Sequence, residues 1–411
     1  MTTRVKKYAK YFLTGVLFLA GPAPSTPARA EEVLTGIDVL EVNGFQELKG
    51  KRVGLITNHT GLDRSLRPTA LVLAQAEGVQ LKALFSPEHG FKGLVEDAAV
   101  STDSLKLPDG KVIPIFSLYG STQTPTNEML SGLDALVFDV QDVGARFYTY
   151  PTTMALAMEA AARRNLDFVV LDRPNPINGE AVSGPILEDG IRHFTAYFPV
   201  SVRHGMTVGE LARLHNITAK LGARLLVVPL RGWRREMWFD QTGLPWTKPS
   251  PNMPDLDAAA LYPGIGCFEA TNVSVGRGTP IPFRWVGAPW MKAKSVLKRL
   301  KAAQLPGFEF EEASFTPDKS VFQGELSRGV RIRITDREKA RPLHLFAVLV
   351  CALRDLHPME FGVRFDEMAR MVGTGRFRQL YEAGARAKDV IMLFDAEASA
   401  FRSRRAPFLL Y

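Results

Sequence analysis

Four short apolar runs in this chain each end abruptly at a cluster of polar residues. The runs cover residues 53–57, 81–85, 136–138 and 168–171. Continuous apolar runs of this length that alternate with helix-like stretches are typical of parallel strands covered on both faces. Because ligands bind beyond the carboxyl ends of the strands in such sheets, we expect the polar clusters to meet at one edge. The sequence therefore predicts an enzyme or a ligand-binding protein.

The rest of the first half of the chain fits an α/β fold with a doubly wound parallel sheet. Two more strands are predicted at residues 112–117 and 225–229, and helices at 68–76, 152–164 and 207–221. Thr207, followed three residues later by Glu210, is typical of a helix N-terminus with a capping box. We assign this domain to residues 31–285.

A second, smaller α+β domain is predicted at residues 286–411. Its pattern indicates a helix at 291–305, strands at 308–315 and 330–334, and helices at 342–356, 366–371 and 376–394. The proline-rich segment 232–290 precedes and overlaps its start, and long ordered segments of this kind tend to be functional. We expect this segment to wrap over the strand ends and to form one wall of a pocket that the second domain closes.

The first 30 residues have the pattern of a secretory signal peptide. Four basic residues between positions 4 and 10 precede an apolar stretch at 11–20, and Ala28–Arg29–Ala30 resembles a cleavage site. An uncleaved anchor is the alternative, but the apolar stretch is too short to span a bilayer. Cleavage after Ala30 predicts a periplasmic or secreted protein with no stable membrane anchor. It also lowers the formal net charge from +8 to +3, which gives no electrostatic reason to expect nucleic acid as a partner.

Cysteine content and known motifs give no reason to expect a cofactor. Cys267 and Cys351 are the two cysteines of the sequence, and we expect them to be buried free thiols rather than a disulfide. The sequence has no C-x-x-C, no H-E-x-x-H, no P-loop and no dinucleotide-binding glycine fingerprint. We therefore predict no zinc, ATP or dinucleotide.

Glu88 is the first candidate for a catalytic residue. It follows the second apolar run directly after a proline, and a carboxyl group at a partly apolar strand end suits a general acid. Helix capping or ion pairing is the structural alternative. The sequence pattern does not single out the second catalytic carboxylate. Its candidates are Asp139, Asp142, Glu159 and Glu269.

A larger set of polar and aromatic side chains lies at the strand ends or in the long loop and is predicted to bind the ligand. Planar donors and aromatic rings suit a polyhydroxylated ligand, and arginine suits a carboxylate on it. The set is Asn58, His59, His89, Asp139, Gln141, Asp142, Arg146, Tyr150, Arg173, Asn175, His204, Asn272 and Arg277. A metal site built from several of these residues is an alternative, but no short-range ligand spacing supports it. A Ser-His-Asp triad is disfavoured because G-x-S-x-G is absent.

Several of these motifs resemble those of the NamZ-type exo-β-N-acetylmuramidases. The matching strings are GLITNHTG at 54–61, SPEHG at 86–90, FDVQDVG at 138–144, RFYTY at 146–150, DRPNP at 172–176, RHGMT at 203–207, SPNMP at 250–254 and TNVSVGRGT at 271–279. The resemblance covers essentially the whole chain after the signal peptide.

The resemblance implies a Rossmann-like catalytic domain and a partly β-barrel-like ancillary domain. It implies an exo-acting glycosidase that releases N-acetylmuramic acid from the non-reducing end of peptidoglycan-derived saccharides. The first essential glutamate of the family matches Glu88, and the second is expected at Glu159. Arg146 or Arg277 is expected to hold the lactyl carboxylate of the sugar. A periplasmic protein that binds cell-wall sugars without cleaving them, and a hydrolase of another bond such as an amide, are the alternatives.

Overall fold

A seven-stranded, mostly parallel sheet forms the first half of the chain in the computed structural model, which describes residues 1–3, 32–93 and 103–411. Residues 4–31, which hold nearly all of the predicted signal peptide, lie outside the described residues. In chain order the strands are β1 (Arg52–Thr57), β2 (Gln80–Ser86), β3 (Asp103–Lys106), β4 (Val112–Ser117), β5 (Ala135–Asp139), β6 (Asp167–Leu171), β7 (Ser183–Ile186), β8 (Ser201–Arg203), β9 (Arg224–Val228), β10 (Trp285–Ala288), β11 (Phe308–Phe315) and β12 (Ser327–Ile334).

The order of the strands in the large sheet is β3-β4-β2-β1-β5-β6-β9, and all neighbouring pairs except β3–β4 are parallel. From β1 the chain first builds outward through β2 to β4, and then returns to build outward through β5, β6 and β9 on the other side. The reversal between β1 and β5 opens a crevice beyond the strand ends, because the connecting segments leave in opposite directions. All six predicted strands of the first domain are confirmed.

Ten helices are described in residues 32–93 and 103–411. They are α1 (Gly36–Val42), α2 (Thr69–Gln75), α3 (Thr149–Arg163), α4 (Val208–Thr218), α5 (Leu256–Ile265), α6 (Ala293–Ala302), α7 (Pro342–Leu356), α8 (Phe365–Val372), α9 (Arg376–Glu382) and α10 (Ala387–Arg405). Among these residues no helix combines the length and the apolar character needed to cross a membrane.

Helices cover both faces of the large sheet. Successive side chains of a strand point to opposite faces, so Leu136 and Phe138 of β5 join one apolar cluster while Val137 joins the other. Helices α3 and α4 contribute to the first cluster, and α1 and α2 to the second. The strands read as continuous apolar runs because both of their faces are buried.

Local sequence explains how the helices that flank the site begin and end. The predicted capping box at α4 is confirmed: the Thr207 hydroxyl accepts from the Glu210 amide at 3.2 Å, and the Glu210 carboxylate accepts from the Thr207 amide at 3.1 Å. Helix α3 is rich in alanine, which favours a helix, and it stops where Asn165 adopts a left-handed conformation.

The second, smaller domain contains a three-stranded antiparallel sheet in the order β10-β12-β11. Helix α7 packs against α6 and α10 and also against α5. The predicted single helix at 376–394 is wrong. The chain divides there into α9 and α10, because Gly384 takes a left-handed conformation that ends α9 with hydrogen bonds back to its last turn. The boundary predicted at residues 285 and 286 stays a prediction.

Cys267 and Cys351 are both buried free thiols, as the sequence predicts. The long segment 232–290 is less irregular than its prolines indicate, because α5 begins there at the N-cap Asp255, whose carboxylate accepts from the Ala258 amide at 2.9 Å. This helix, the hairpin of β7 and β8, and α1 were missed from sequence because each is short or interrupted by proline or glycine.

The last residue of the chain is tied to the end of β6. The Tyr411 hydroxyl donates to the buried Asp172 carboxylate at 2.7 Å and accepts from the Leu230 amide at 2.8 Å. The Thr207 hydroxyl donates to the same carboxylate at 2.7 Å. One side chain therefore joins the C-terminal residue to two neighbouring strand ends of the sheet.

Replacing Tyr411 with phenylalanine should lower the free energy of unfolding by about 1–3 kcal/mol, because Asp172 loses a donor and the Leu230 amide loses its acceptor. Tyr381→Phe is the matched control, since the Tyr381 hydroxyl makes no hydrogen bond to any described residue. Urea unfolding of both variants measures the difference. Equal stability of Y411F and Y381F would contradict this account.

Candidate active site

A cavity of about 640 Å³ lies beyond the carboxyl ends of the large sheet. The loops after β2, β4 and β5 line it from the first domain, through Glu88, Tyr119 and Thr149 respectively. The long segment 232–290 forms one wall, as predicted, and residues 319–320 and helix α8 close it from the second domain. Its size is within the range of small-molecule sites in proteins.

Glu88 is partly buried at the cavity, one residue beyond the proline that follows β2. The Thr149 hydroxyl, at the start of α3, donates a hydrogen bond to Glu88 Oε2. Burial and the nearby Glu88 carboxylate together raise the pKa of Tyr119, so this phenol stays protonated and faces the carboxyl group as a donor. Residues that follow β4 and β5, on either side of β2 and β1, thus fix the orientation of one carboxyl group.

The loop that carries Glu88 is held by a close approach to the loop after β1. Gly93 has φ of +69°, and a Cβ atom there would lie 1.9 Å from the His59 ring. Only glycine tolerates both the left-handed backbone and this contact. His59 Nε2 lies 2.8 Å from the carbonyl oxygen of Lys248, and burial lowers the pKa of the imidazole. His59 therefore positions the loop of Glu88 and does not line the cavity itself.

Aromatic rings form one side of the cavity. Phe147, Tyr148 and Phe283 pack around Tyr262, with ring centroids 4.7–6.0 Å from the Tyr262 ring in edge-to-face arrangements. Burial raises the pKa of Tyr148 and of Tyr262, so both hydroxyls remain neutral. Such a surface offers apolar area with a few hydroxyl groups, which suits the face of a sugar ring.

Two acidic residues line the cavity besides Glu88 among the described residues: Glu269 and Glu367. Arg277 Nε donates to Glu269 Oε1 at 2.5 Å, and both side chains belong to the long segment. Glu367 pairs with Arg364 at 2.7 Å and is exposed. The Glu88 and Glu269 carboxylates both contribute to the raised pKa of Tyr262, so both lie near the same ring.

Of the predicted site residues, the structure brings Glu88, His89 and Arg277 to the cavity wall. Most of the others form a buried polar layer whose side chains bond to nearby backbone or to other loops, whereas His59, Glu159 and Asn272 are only partly buried. The predicted residues that do not line the cavity are Asn58, His59, Asp139, Gln141, Asp142, Arg146, Tyr150, Glu159, Arg173, Asn175, His204 and Asn272. Their contact with substrate stays a prediction.

The contacts in this layer show what most of these side chains do. Arg173 makes a two-pronged pair with Asp139, at 2.5 and 2.9 Å, with both groups buried. The Gln141 amide donates to the carbonyl oxygens of Asp142 and Pro174. These bonds join the loops after β5 and β6 and so fix the position of both loops beneath the cavity.

Further members of the layer also cap loops. Three side chains accept from nearby backbone: Asn58 Oδ1 from the Thr60 amide and hydroxyl, Asp142 Oδ2 from the Gly144 amide, and His204 Nδ1 from the Met206 amide. Two donate to distant carbonyl oxygens: Tyr150 Oη to Pro249 at 2.6 Å, and Asn175 Nδ2 to Met206. Asn272 bonds to the backbone of Glu360 and Gly362. The bonds of Asn58, Asp142 and His204 reach only two residues along the chain, and such local bonds favour polar residues just after strands.

Glu159, the expected second catalytic glutamate, lies on α3 outside the cavity wall. Its carboxylate accepts from the Tyr197 hydroxyl at 2.5 Å and lies 2.9 Å from His215 Nε2 and 3.3 Å from the Arg192 guanidinium. Burial alone would raise the pKa of Glu159, but these partners together lower it. The apolar sequence around it reflects the buried side of α3. Its catalytic role stays a prediction.

Arg146 is fully buried and makes no contact with the cavity. Its guanidinium donates to the carbonyl oxygens of Pro185 and Val200, at 2.9 and 2.8 Å, and of Met371 at 2.8 Å. Burial lowers the pKa of Arg146 to about 10. Through the backbone acceptors of its two terminal nitrogens, Arg146 joins the region of β7 and β8 to the end of α8.

Sequence reasoning missed Tyr119, Thr149, Tyr262 and Arg370 as cavity residues. Tyr119 and Thr149 follow strands by the same rule that identified Glu88, so their position after β4 and before α3 was a usable signal. Arg370 lies in a short helix of the second domain, and nothing local distinguishes it from a solvated arginine. No group of three or more metal-ligating side chains comes together in residues 32–93 and 103–411.

Comparison with known protein families gives two matches that together cover most of the chain. Residues 53–257 match the model of the N-terminal part of the exo-β-N-acetylmuramidase NamZ, and residues 260–411 match the model of its C-terminal part. Among characterised proteins, the chain is 41% identical to the peptidoglycan β-N-acetylmuramidase NamZ of Bacillus subtilis (strain 168). That alignment covers 97% of this chain and 98% of the relative.

Two solved structures from Bacteroides fragilis NCTC 9343, both described as DUF1343 family proteins, share the fold. One superposes with a TM-score of 0.85 at 37% identity and covers 93% of this chain and 100% of its own. The other superposes with a TM-score of 0.73 at 30% identity and covers 92% and 99%. The likeness therefore extends over both domains.

Arg146→Gln should lower the free energy of unfolding by about 3–5 kcal/mol, because several buried carbonyl oxygens lose a charged donor. Arg376→Gln is the control, since Arg376 forms an exposed pair with Glu397 and should contribute less than about 1 kcal/mol. Thermal and urea unfolding measure both. A stable R146Q protein with unchanged activity would show that Arg146 is not the link described here.

Proposed function

This chain belongs to the NamZ family of exo-β-N-acetylmuramidases, and we propose that it releases N-acetylmuramic acid from the non-reducing end of peptidoglycan fragments. The observation that carries the proposal is the position of Glu88 in a sugar-sized cavity at the strand ends, held by Thr149 and opposite an aromatic wall. A glycosidase needs a carboxyl group beside the scissile oxygen and a surface that orients the ring. The cavity offers both.

Glu88 acts as the general acid that protonates the leaving glycosidic oxygen. Thr149 donates to Oε2 of this carboxyl group and so helps to fix its orientation. Tyr119 stays protonated and contributes a neutral donor beside the same carboxyl group. The reaction also needs a group on the opposite side of the anomeric carbon, either a carboxylate or the acetamido oxygen of the sugar itself.

Glu269 is the described carboxylate best placed for that second role. It lines the cavity, whereas Glu159 is engaged by Tyr197 and His215 outside the wall. The Arg277 guanidinium keeps Glu269 in a fixed orientation at 2.5 Å. An oriented carboxylate can either activate water or hold the acetamido group while its oxygen attacks.

The alternatives to a muramidase are less well supported. A non-catalytic sugar-binding protein would need the pocket but not an oriented carboxyl group, and the Bacillus subtilis relative carries the name of an enzyme. A hydrolase of another bond, such as an amide, is disfavoured because both the matching family models and the Bacillus subtilis relative are named for β-N-acetylmuramidases.

We further propose a Rossmann-like description of the first domain and export of the protein. The six parallel strands occur in the order third, second, first, fourth, fifth, sixth along the sheet, which is the order of dinucleotide-binding folds. The signal-peptide pattern of residues 1–30 supports a periplasmic or secreted location, where peptidoglycan fragments are available. A partly barrel-like second domain stays a prediction.

Glu88→Gln should reduce turnover of the disaccharide N-acetylmuramyl-β-1,4-N-acetylglucosamine by about 100-fold or more, because the sugar leaving group needs a proton. The loss should be smaller for a 4-nitrophenyl β-N-acetylmuraminide, whose phenolate leaves without one. Product release measured for both substrates tests the role. If E88Q loses equal activity on both substrates, Glu88 is not the general acid. If E88Q still turns over the disaccharide, the cavity around Glu88 is not the active site.

Glu269→Gln should lower kcat by about 100-fold or more, whereas Glu159→Gln should leave kcat within about threefold of the unsubstituted protein and affect mainly stability. The two changes are chemically matched and differ only in whether the carboxylate faces the cavity. Steady-state kinetics on the disaccharide separates them. The reverse ranking would restore Glu159 as the second catalytic carboxylate.

A further inference from the structure

We propose that Arg370 binds the lactyl carboxylate of N-acetylmuramic acid and so selects this sugar over N-acetylglucosamine. The proposal rests on the proposed function and names the residue that gives the site its specificity. The two sugars differ at the 3-oxygen, where muramic acid carries a lactyl ether with a carboxylate and glucosamine carries a hydroxyl group. A site that distinguishes them needs a cation at the corresponding position.

Arg370 is the cation of the cavity whose guanidinium has no hydrogen bond or ion pair to any residue in 32–93 and 103–411. Arg277 is paired with Glu269, and His89 and Lys319 each have interactions of their own. Glu367, one turn before Arg370 on α8, pairs with Arg364 instead. The positive charge of Arg370 therefore lies at the cavity wall without a carboxylate from the described part of the protein.

The last turn of α8 is fixed in place, so Arg370 is held ready for its ligand. Arg146 donates to the Met371 carbonyl oxygen at 2.8 Å from beneath the helix. Gly373 ends α8 with φ of +93°, and a Cβ atom there would lie 2.6 Å from the Arg146 guanidinium. A guanidinium close under the last carbonyl groups also stabilises a helix C-terminus. Arg146 thus acts as a positioning residue for Arg370.

A short segment connects Arg370 to the side of the cavity that holds Glu88. The Phe194 ring lies 5.9 Å from the Tyr119 ring, and Thr195 lines the cavity between them and α8. The neighbouring His193 has its pKa lowered by burial and by the charge of Arg370, so these two side chains are close. This segment therefore contacts Tyr119, which faces Glu88, and lies near Arg370, and Glu88 and Arg370 line the same cavity.

This arrangement matches the chemistry of muramic acid. The scissile bond is at carbon 1 and the lactyl ether at carbon 3 of the same ring, so the acid and the cation must face positions two carbons apart. A guanidinium binds a carboxylate through two parallel hydrogen bonds, which adds geometric selectivity to the charge. N-acetylglucosamine has no carboxylate for Arg370, so its binding would desolvate the guanidinium without forming an ion pair in exchange.

The experiment compares three chromogenic substrates with four proteins. The substrates are the 4-nitrophenyl β-glycosides of N-acetylmuramic acid, of its neutral lactyl carboxamide, and of N-acetylglucosamine. The proteins are the unsubstituted chain, Arg370→Gln, Arg370→Lys and the control Arg404→Gln. Arg404 also has a guanidinium without a partner among the described residues, but it is exposed on α10 and away from the cavity.

The expected result is a loss of about 10- to 100-fold in kcat/KM for R370Q on the muramic acid substrate, mostly through KM. The unsubstituted protein should show a similar loss when the carboxylate is replaced by the carboxamide, and R370Q should no longer distinguish the two. R370K should recover part of the preference, and R404Q should keep all of it. Thermal unfolding confirms that each variant is folded.

Two outcomes would overturn the proposal. One is an R370Q protein that prefers the carboxylate over the carboxamide as strongly as the unsubstituted protein does. The other is an R404Q protein that loses the preference equally. If the unsubstituted protein cleaves none of the substrates, the proposed function is wrong. Calorimetry of free N-acetylmuramic acid and N-acetylglucosamine binding to the unsubstituted protein and to R370Q then still tests the role of Arg370.

Discussion

The buried Arg146 guanidinium is the interaction on which the geometry of the site depends. Its carbonyl acceptors come from the β7–β8 region and from the last turn of α8, residues separated by nearly 200 positions in the chain. Burying a guanidinium is costly unless its donors are satisfied, so these carbonyl oxygens and Arg146 require each other. The consequence is that the second domain presents α8 to the cavity in one orientation. The link acts together with the bonds that Arg364, at the start of α8, donates to the backbone of Glu269 and Thr271.

The two domains contribute different parts of the chemistry. The parallel sheet delivers Glu88, Tyr119 and Thr149 from neighbouring strand ends, where the reversal of strand order opens a crevice. The long segment adds the pair of Glu269 and Arg277 and part of the aromatic wall. The second domain adds charge from α8. An exo-acting enzyme must recognise the terminal sugar as well as cleave beside it. In the mechanism we propose, the sheet supplies the general acid, the long segment supplies the second carboxylate, and α8 supplies the charge that recognises the sugar.

The sequence predicted the sheet and the position of Glu88 because both follow from local patterns. Apolar runs covered on both faces are continuous, and the residue after such a run lies at the ligand edge. The sequence also places Arg173 and Asp139 at the strand ends. The structure adds that these two side chains pair with each other, and their contact with substrate stays a prediction. A polar side chain that follows a strand can face a ligand or cap a neighbouring loop, and only the distant partners decide which.

Glu159 and Arg370 also show that local sequence does not reveal which charged side chains reach the cavity. The family resemblance predicts Glu159 as the second catalytic glutamate, and that role stays a prediction. Its partners Tyr197 and His215 come from separate elements that no local pattern connects to it. Arg370 resembles an ordinary surface arginine until α8 is packed against the first domain. Long-range packing, rather than residue type, therefore determines which charges reach the cavity.

The most direct measurement is the crystal structure of the Glu88→Gln protein with N-acetylmuramyl-β-1,4-N-acetylglucosamine bound. We expect the glycosidic oxygen to lie about 3 Å from the side-chain amide at position 88, with the lactyl carboxylate on the Arg370 guanidinium. A disaccharide bound with its glycosidic oxygen beyond hydrogen-bond reach of position 88, or with its carboxylate in solvent on the far side of the cavity, would contradict the account.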